Sequence, residues 1–203
     1  MIASLEDVCL DRAHGPVLRG VTLGLAAGER IALVGENGAG KTSLLRLLAG
    51  LEAPTRGQVH RVPQGTGYIS QEPGAQLFPW FSVLRNVAMP RLLVGEADAL
   101  EVARAQLARI APALALRRHA RGLSGGEAQA ISIARALTAP GPVVLADEPF
   151  SALDPGARAH LRDALSAGLG RRALVLVTHD REDAVALGAR IFRLEAGRLE
   201  APS

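Results

Sequence analysis

Residues Gly35–Thr42 read Gly-Glu-Asn-Gly-Ala-Gly-Lys-Thr, between a short apolar run, Arg30–Val34, and a leucine-rich run, Lys41–Ala49. A turn of the form G-x-x-x-x-G-K-[ST] with a strand before it and a helix after it leaves a chain few folding options. Gly35, Gly38 and Gly40 let successive backbone N–H groups wrap a chain of phosphates, and the N-terminus of the following helix adds partial positive charge. Lys41 would reach the β- and γ-phosphates, and the Thr42 hydroxyl would ligate Mg²⁺. The whole stretch of Gly35, Glu36, Asn37, Gly38, Ala39, Gly40, Lys41, Thr42 and Ser43 is the expected phosphate-binding loop. Of 23 basic residues in the chain, Lys41 alone is lysine and the rest are arginine. A compact ammonium on a flexible stem is kept at this position and no other.

Around that turn the pattern is mixed. The N-terminal part reads as strands at Ile2–Val8 and Val17–Leu25, with short strands at Gln58–Val62 and Tyr68–Ser70. From about Gln71 to Gly122 the character is helical, with Leu100, Ala103, Leu107 and Ile110 at helical spacing. Beyond it, helix and strand alternate: Ser124–Thr138, Val143–Ala146, Pro155–Ala167, Ala173–Val177, Asp180–Leu187 and Arg190–Leu194. Strands joined by crossover helices imply a buried parallel sheet. The expected fold is α/β, one domain over residues 1–203, with an N-terminal antiparallel β region and an α-helical insert at about 72–135.

Several classes fall away. The single cysteine, Cys9, cannot form an internal disulfide, which removes the disulfide-scaffold class. No apolar run approaches the roughly 20 residues of a membrane-spanning helix, and the acidic N-terminus has no signal-peptide pattern. The chain is basic, at +3, but its charges are scattered and aromatic residues are only 3%, which leaves few platforms for stacking bases. Nucleic acid is not expected as the partner.

Two further motifs carry chemistry. Val143–Glu148 is an apolar strand ending in two acids, and in parallel sheets ligands sit beyond the carboxyl ends of the strands. Asp147 would face the Mg²⁺, and Glu148 would reach an attacking water as general base. Leu123-Ser-Gly-Gly-Glu127 has two readings. Ser124 and Glu127 make a capping box, a local structural role. Two consecutive glycines in a first helical turn are not explained by capping, because each lowers helix propensity by about 1 kcal/mol. Bare N–H groups at Gly125 and Gly126 suit a second phosphate contact.

Taken together, the motifs resemble those of the ATP-binding subunit of ABC (ATP-binding cassette) transporters, over nearly the whole chain. By that resemblance Gly35–Thr42 is the Walker A loop, Val143–Glu148 the Walker B strand and Leu123–Glu127 the signature motif. Gln71 matches the Q-loop glutamine, a further Mg²⁺ contact at the hinge of the insert; Ser151–Asp154 matches the D-loop and His179 the switch histidine. The family implies a P-loop NTPase core that binds ATP and Mg²⁺. It also implies two copies packed head to tail, as a homodimer, with Ser124, Gly125, Gly126 and Asp154 completing the partner's site. Glu148, His179 and Gln71 are then the catalytic set, and the insert docks an integral membrane permease from the cytoplasmic face. Asp154-Pro155 also reads as a helix N-cap followed by proline at the first helical position, so its local role stands beside the family one.

The stretch Phe78-Pro-Trp-Phe81 holds three of the five Phe and Trp residues and has two readings, core or groove for a partner helix. It is similar to the segment found in nitrate, sulfonate and taurine importers. Two features depart from the family. No aromatic residue stands at Asp11–His14 to stack on adenine, leaving Arg12 or His14 to cover the base. At the end of the signature, Glu127 stands where the family has Gln, and beyond it Ala130 stands where the family has Arg. The expected function is ATP hydrolysis coupled to solute import. The alternatives are a cassette ATPase acting on a soluble partner and an ATP-gated regulatory module with little turnover.

Overall fold

The computed structural model describes residues 1–61 and 65–200. Along the chain, β1 (Ala3–Arg12) and β2 (Gly15–Leu25) form a hairpin, β3 (Arg30–Val34) leads into α1 (Lys41–Ala49), and β4 (Arg56–His60) and β5 (Gly67–Ile69) follow. Four helices then succeed one another: α2 (Pro73–Gln76), α3 (Val83–Leu92), α4 (Ala99–Ile110) and α5 (Gly125–Thr138). The remainder alternates as β6 (Val143–Asp147), α6 (Pro155–Leu169), β7 (Ala173–Val177), α7 (Arg181–Ala186) and β8 (Arg190–Glu195), and ends in β9 (Arg198–Glu200).

Two sheets result. The first is antiparallel, in the order β2-β1-β4; the second runs β5-β6-β7-β3-β8-β9 and is parallel except for β9. All five residues of β6 and all five of β7 are buried, as strands covered on both faces require. Because side chains alternate, the second sheet serves two cores. Ile31, Leu33, Val143, Leu145, Val175 and Val177 face α1 and the first sheet. Ala32, Val144, Ala146, Leu174 and Leu176 face the helices α3 to α6. In register, Leu33 and Asp147 both lie opposite Val177, so the carboxyl ends of β3, β6 and β7 finish level with one another.

The α/β class, the antiparallel N-terminal sheet and the helical stretch after β5 follow the sequence reading, with instructive shifts at the margins. β1 continues to Arg12 rather than ending at Val8. A bulge at Asp7, φ 48°, re-aims the strand and lets pairing with β2 resume beyond it. Gly57 stands against that bulge, where a Cβ would lie 2.3 Å from the Asp7 carbonyl oxygen. β4 begins two residues earlier than expected, and Val62, the expected end of that strand, lies outside the described residues. In α4 the buried seam starts at Ala99, and Leu100 is 48% exposed; Asp98 at the N-cap puts Ala99, Ala103 and Leu107 four residues apart on one face. β9 had no clear sequence signal, because its hairpin turns on Ala196-Gly197, both at positive φ, with alanine where Asn or Asp is the usual marker.

Gly67 tests how tightly α5 lies on the sheet, since a Cβ there would stand 2.3 Å from the Ala136 carbonyl oxygen. Gly67→Ala is expected to destabilise the fold by about 1–3 kcal/mol and lower the thermal midpoint by several degrees. Gly74→Ala, which meets open space, is expected to leave it unchanged; melting followed by circular dichroism checks both.

Candidate functional site

The loop after β3 is shaped by its glycines. A Cβ on Gly35 would stand 2.1 Å from the Leu194 carbonyl oxygen, so only glycine allows the loop to leave the sheet beside β8. Gly38 (φ 83°) and Gly40 (φ 103°) adopt left-handed backbone. Gly40 is the N-cap of α1, with no side-chain cap and no acid in the first turn, so the leading N–H groups of α1 remain available to an anion. The Lys41 ammonium lies in the same concavity, donating to the carbonyl oxygens of Gly35 and Glu36 at 2.8 Å each. An ammonium has three donors, which leaves one for a phosphate oxygen.

Asn37, Gly38, Gly40, Lys41, Thr42, Ser43, Gln71, Asp147 and Glu148 line one cleft of ≈ 420 Å³ together with Arg12, Val17 and Val177. Glu36 and Ala39 border an adjoining depression of ≈ 300 Å³ against the β8–β9 turn, where Asn37 and Gly38 also contribute. Asp147 ends β6 at 3% exposure, and its Oδ1 has no hydrogen-bond partner. Burial raises its carboxyl above the usual range against a lowering by the Thr42 hydroxyl, and the neighbouring Glu148 charge adds to the rise. An unpartnered buried carboxylate oxygen beside a threonine hydroxyl is a donor set that fits Mg²⁺, a hard cation bound through oxygen. The same Asp147 charge, after burial itself, pushes the Tyr68 hydroxyl up to about 12.

Glu148 is held in an uncommon backbone conformation, φ 47°, by its N–H donating to Val177 O at 3.0 Å and its carbonyl accepting from Ser151 Oγ at 3.2 Å. Its Oε2 lies 2.8 Å from His179 Nδ1. Two of the three residues expected as the catalytic set, Glu148 and His179, 31 residues apart, are thus in direct contact, while Gln71 lines the same cleft. His179 is not itself among the residues lining the cleft and adjoins it through Glu148; with Nδ1 engaged, its Nε2 is the ring nitrogen left free.

Ser124, Gly125, Gly126 and Asp154 stand apart from this cleft; none of them is among the residues lining it. Ser124 caps α5, its Oγ accepting from Glu127 N at 3.3 Å while its own N–H donates to Glu127 Oε2 at 2.7 Å, so the capping box is real. The Glu127 carboxyl is held below its usual range, first by that backbone N–H, with the Arg118 guanidinium a lesser cause. Capping uses an acceptor of the Ser124 oxygen and leaves its O–H proton free to donate. A Cβ on Gly125 would meet nothing within 4 Å, so nothing inside this molecule requires glycine there. Asp154 caps α6, accepting from Gly156 N and Ala157 N at 3.0 and 2.9 Å, and it is exposed.

Arg12 is the base-covering candidate that reaches the cleft: its Nη2 donates to Ser43 Oγ at 3.2 Å and to Glu52 Oε1 at 2.8 Å. Val17, beside it, gave no sequence signal, because a single valine on a strand carries none. The aromatic stretch forms a turn pinned by buried Asn86, whose Oδ1 accepts from Phe78 N at 2.8 Å and whose Nδ2 donates to Phe78 O at 3.0 Å. Phe78 and Phe81 are half-buried, but Trp80 is 65% exposed, which favours a surface platform over a core cluster. Arg85 lies over the Phe81 ring at 4.3 Å.

The chain is similar to known proteins over most of its length. Residues 18–151 match the family described as ABC transporter. The aliphatic sulfonates import ATP-binding protein SsuB of Granulibacter bethesdensis is 40% identical over 204 residues, covering 98% of this chain and 82% of that protein. The Fe(3+) ions import ATP-binding protein FbpC 3 of Rhodococcus jostii is 38% identical over 218 residues, covering 98% of this chain and 62% of that protein. Among solved structures, the ATP-binding cassette MJ0796, a dimer in a post-hydrolysis state bound to ADP and Pi, superposes with a TM-score of 0.88 at 25% identity. It covers 100% of this chain and 98% of its own.

The buried charge at Asp147 has a measurable signature. Its raised carboxyl means that the folded state disfavours the ionised form, so the nucleotide-free fold gains stability as pH falls toward that carboxyl's range. Asp147→Asn removes the charge at every pH and is expected to raise the thermal midpoint of the nucleotide-free protein by a few degrees at pH 7. The unsubstituted protein is expected to gain a further rise on adding ATP with Mg²⁺ and the variant is not; differential scanning fluorimetry reads both effects.

Proposed function

The chain belongs to the ABC transporter family, and on that footing we propose that it is the ATP-hydrolysing subunit of a solute importer. It works as a homodimer on the cytoplasmic face of the membrane, bound to an integral membrane permease. One observation carries the reading: the phosphate-binding groups of a single copy lie on two separate surfaces. The cleft holds Lys41, Asp147 and Glu148, while the glycine-bearing N-terminus of α5 stands uncovered elsewhere. Two copies packed head to tail bring each helix over the other's cleft, which gives Gly125 and Gly126 a purpose that helix capping does not. Among the described residues no helix is long and apolar enough to cross a membrane.

The chemistry follows from the side chains. The triphosphate lies along Gly35–Ser43, its charge met by the α1 N–H groups and the Lys41 ammonium. Thr42 and Asp147, with Gln71 at the rim, would hold Mg²⁺, which when bound neutralises charge on the β- and γ-phosphate oxygens. Glu148 orients a water in line with the γ-phosphorus and accepts its proton as the oxygen attacks, and the bond to the leaving ADP oxygen breaks. His179 Nε2 and, from the other copy, the Ser124 hydroxyl and the Gly125 and Gly126 N–H groups stabilise the charge of the transferring phosphoryl group. Arg12 and Val17 flank the base. Asp154 of each copy lies between the two sites.

The chain is read as one cassette over 1–203 with its helical insert at about 72–135, and the permease meets the insert at the aromatic turn. Exposed Trp80 on a turn fixed by Asn86 supports that docking face. The named solutes of the two relatives, sulfonates and iron, share import and differ in cargo, as expected if the cargo is chosen by other subunits. The sulfonate relative and the Phe78–Phe81 stretch favour the importer of small organic anions.

Glu148→Gln is expected to lower ATP turnover by about a hundredfold or more while ATP binding is retained. In sedimentation that variant should run as a dimer with ATP and a monomer without it; a monomer in both, even with the permease added, would overturn the shared site. Trp80→Ala is expected to reduce co-purification of the permease severalfold and leave the turnover of the free chain within twofold, checked by affinity capture and a phosphate-release assay.

A further inference from the structure

A second cluster of charged side chains joins α6 to α7. Asp183, on α7, is 1% exposed, and its carboxylate receives both arms of the Arg158 guanidinium, Nε to Oδ1 at 3.1 Å and Nη2 to Oδ2 at 2.7 Å. The same Nη2 also pairs with Asp180, the residue directly after His179. Asp180 is fixed in turn, its Oδ1 accepting from Glu182 N at 2.8 Å and its N–H donating to Thr178 Oγ1 at 3.1 Å. At the other end, Arg158 sits in the first turn of α6, and its N–H donates to the Asp154 carbonyl at 2.9 Å. That backbone bond is the first of α6 itself; the Arg158 side chain ties this helix start, which follows the Asp154 loop, to the loop that carries His179.

The far ends of the two helices have their own tie: Arg30 Nη1 donates to Leu187 O at 2.9 Å and to Ser166 Oγ at 3.2 Å. The near ends, where the functional loops are, are set by Arg158. Buried ion pairs are a weak source of stability, since apolar side chains of similar volume often serve as well. A bidentate fork supplies direction instead, fixing angle as well as distance between its partners. Arg162 offers an internal contrast. It lies one helical turn further along α6 and approaches Asp183 Oδ1 only at 3.6 Å, and its pairs do not include Asp180.

We propose that Arg158 is a positioning residue for ATP hydrolysis: through Asp183 and Asp180 it holds the His179 loop at a fixed setting relative to the Asp154 loop. A neighbouring copy that seats the Asp154 loop thereby aligns His179, and with it the Glu148 side chain 2.8 Å away. The proposal rests on the reading that Glu148 and His179 serve the nucleotide cleft.

The test compares Arg158→Met, Arg158→Lys and Arg162→Met with the unsubstituted chain, measuring kcat, KM and ATP-binding stoichiometry. Arg158→Met is expected to lower kcat by about tenfold or more, with KM and stoichiometry within about twofold, because the cradle itself is untouched. Arg158→Lys, which keeps the charge and loses the fork, should recover part of that loss, and Arg162→Met should keep kcat within about twofold. Should Arg158→Met fail to fold, Arg158→Lys against Arg162→Lys carries the same comparison, with a loss of about threefold in the first alone. An Arg158 variant at full turnover, or an Arg162 variant falling as far, would overturn the proposal. An unsubstituted chain that binds ATP without hydrolysing it, alone and with its permease, defeats the hydrolysis reading and this one together; normal turnover indifferent to Arg158 defeats this one alone.

Discussion

Everything functional in this chain depends on three parallel strands ending at one level. Hydrogen bonding pairs Leu33 and Asp147 with the same residue, Val177, so β3, β6 and β7 deliver their next residues to a common edge. From that edge come the phosphate loop, the acid pair Asp147 and Glu148, and the turn that carries His179. A slip of register in any one ladder would move the side chain it delivers by a residue and reverse the face it points to. The buried apolar runs Val143–Ala146 of β6 and Ala173–Val177 of β7 oppose such a slip, because a shifted strand would trade an apolar side chain for a polar or charged neighbour in the core.

The parts legible in the sequence are those fixed by local chemistry. Gly35–Thr42 could be read because only a few backbone paths place so many N–H groups around an anion, and those paths require glycine at stated positions. Ser124 and Glu127 could be read as a capping box because the hydrogen bonds span three residues. The contact between Glu148 and His179 could not be read locally, since it is made by strand pairing across 31 residues. For the same reason Asn86, which secures the aromatic turn, and Asp183, which anchors Arg158, passed as ordinary polar residues on helices. Their partners are backbone groups and side chains that only the fold brings near.

Where local and tertiary demands compete, tertiary packing decides. Leu100 fits the periodic pattern of α4 better than Ala99, yet α4 is turned so that the smaller residue faces α3 and α5. β1 runs past an apparently polar stop because the bulge at Asp7 and the glycine opposite it absorb the irregularity. Glu127 in the signature, a departure from the usual glutamine, is accommodated by the Arg118 guanidinium at 2.7 Å, which balances the charge that the substitution brings.

The alternation of side chains through the second sheet has a further consequence. Neighbouring residues of one strand, such as Val144 and Leu145, belong to different cores. The sheet is thus a partition as well as a scaffold, with α1, which follows the glycine-rich loop, behind one wall and the helices α3 to α6 behind the opposite one. Mutational drift can therefore refit the helical side while the packing around α1 keeps its shape, because the two sides share a backbone and very few side chains.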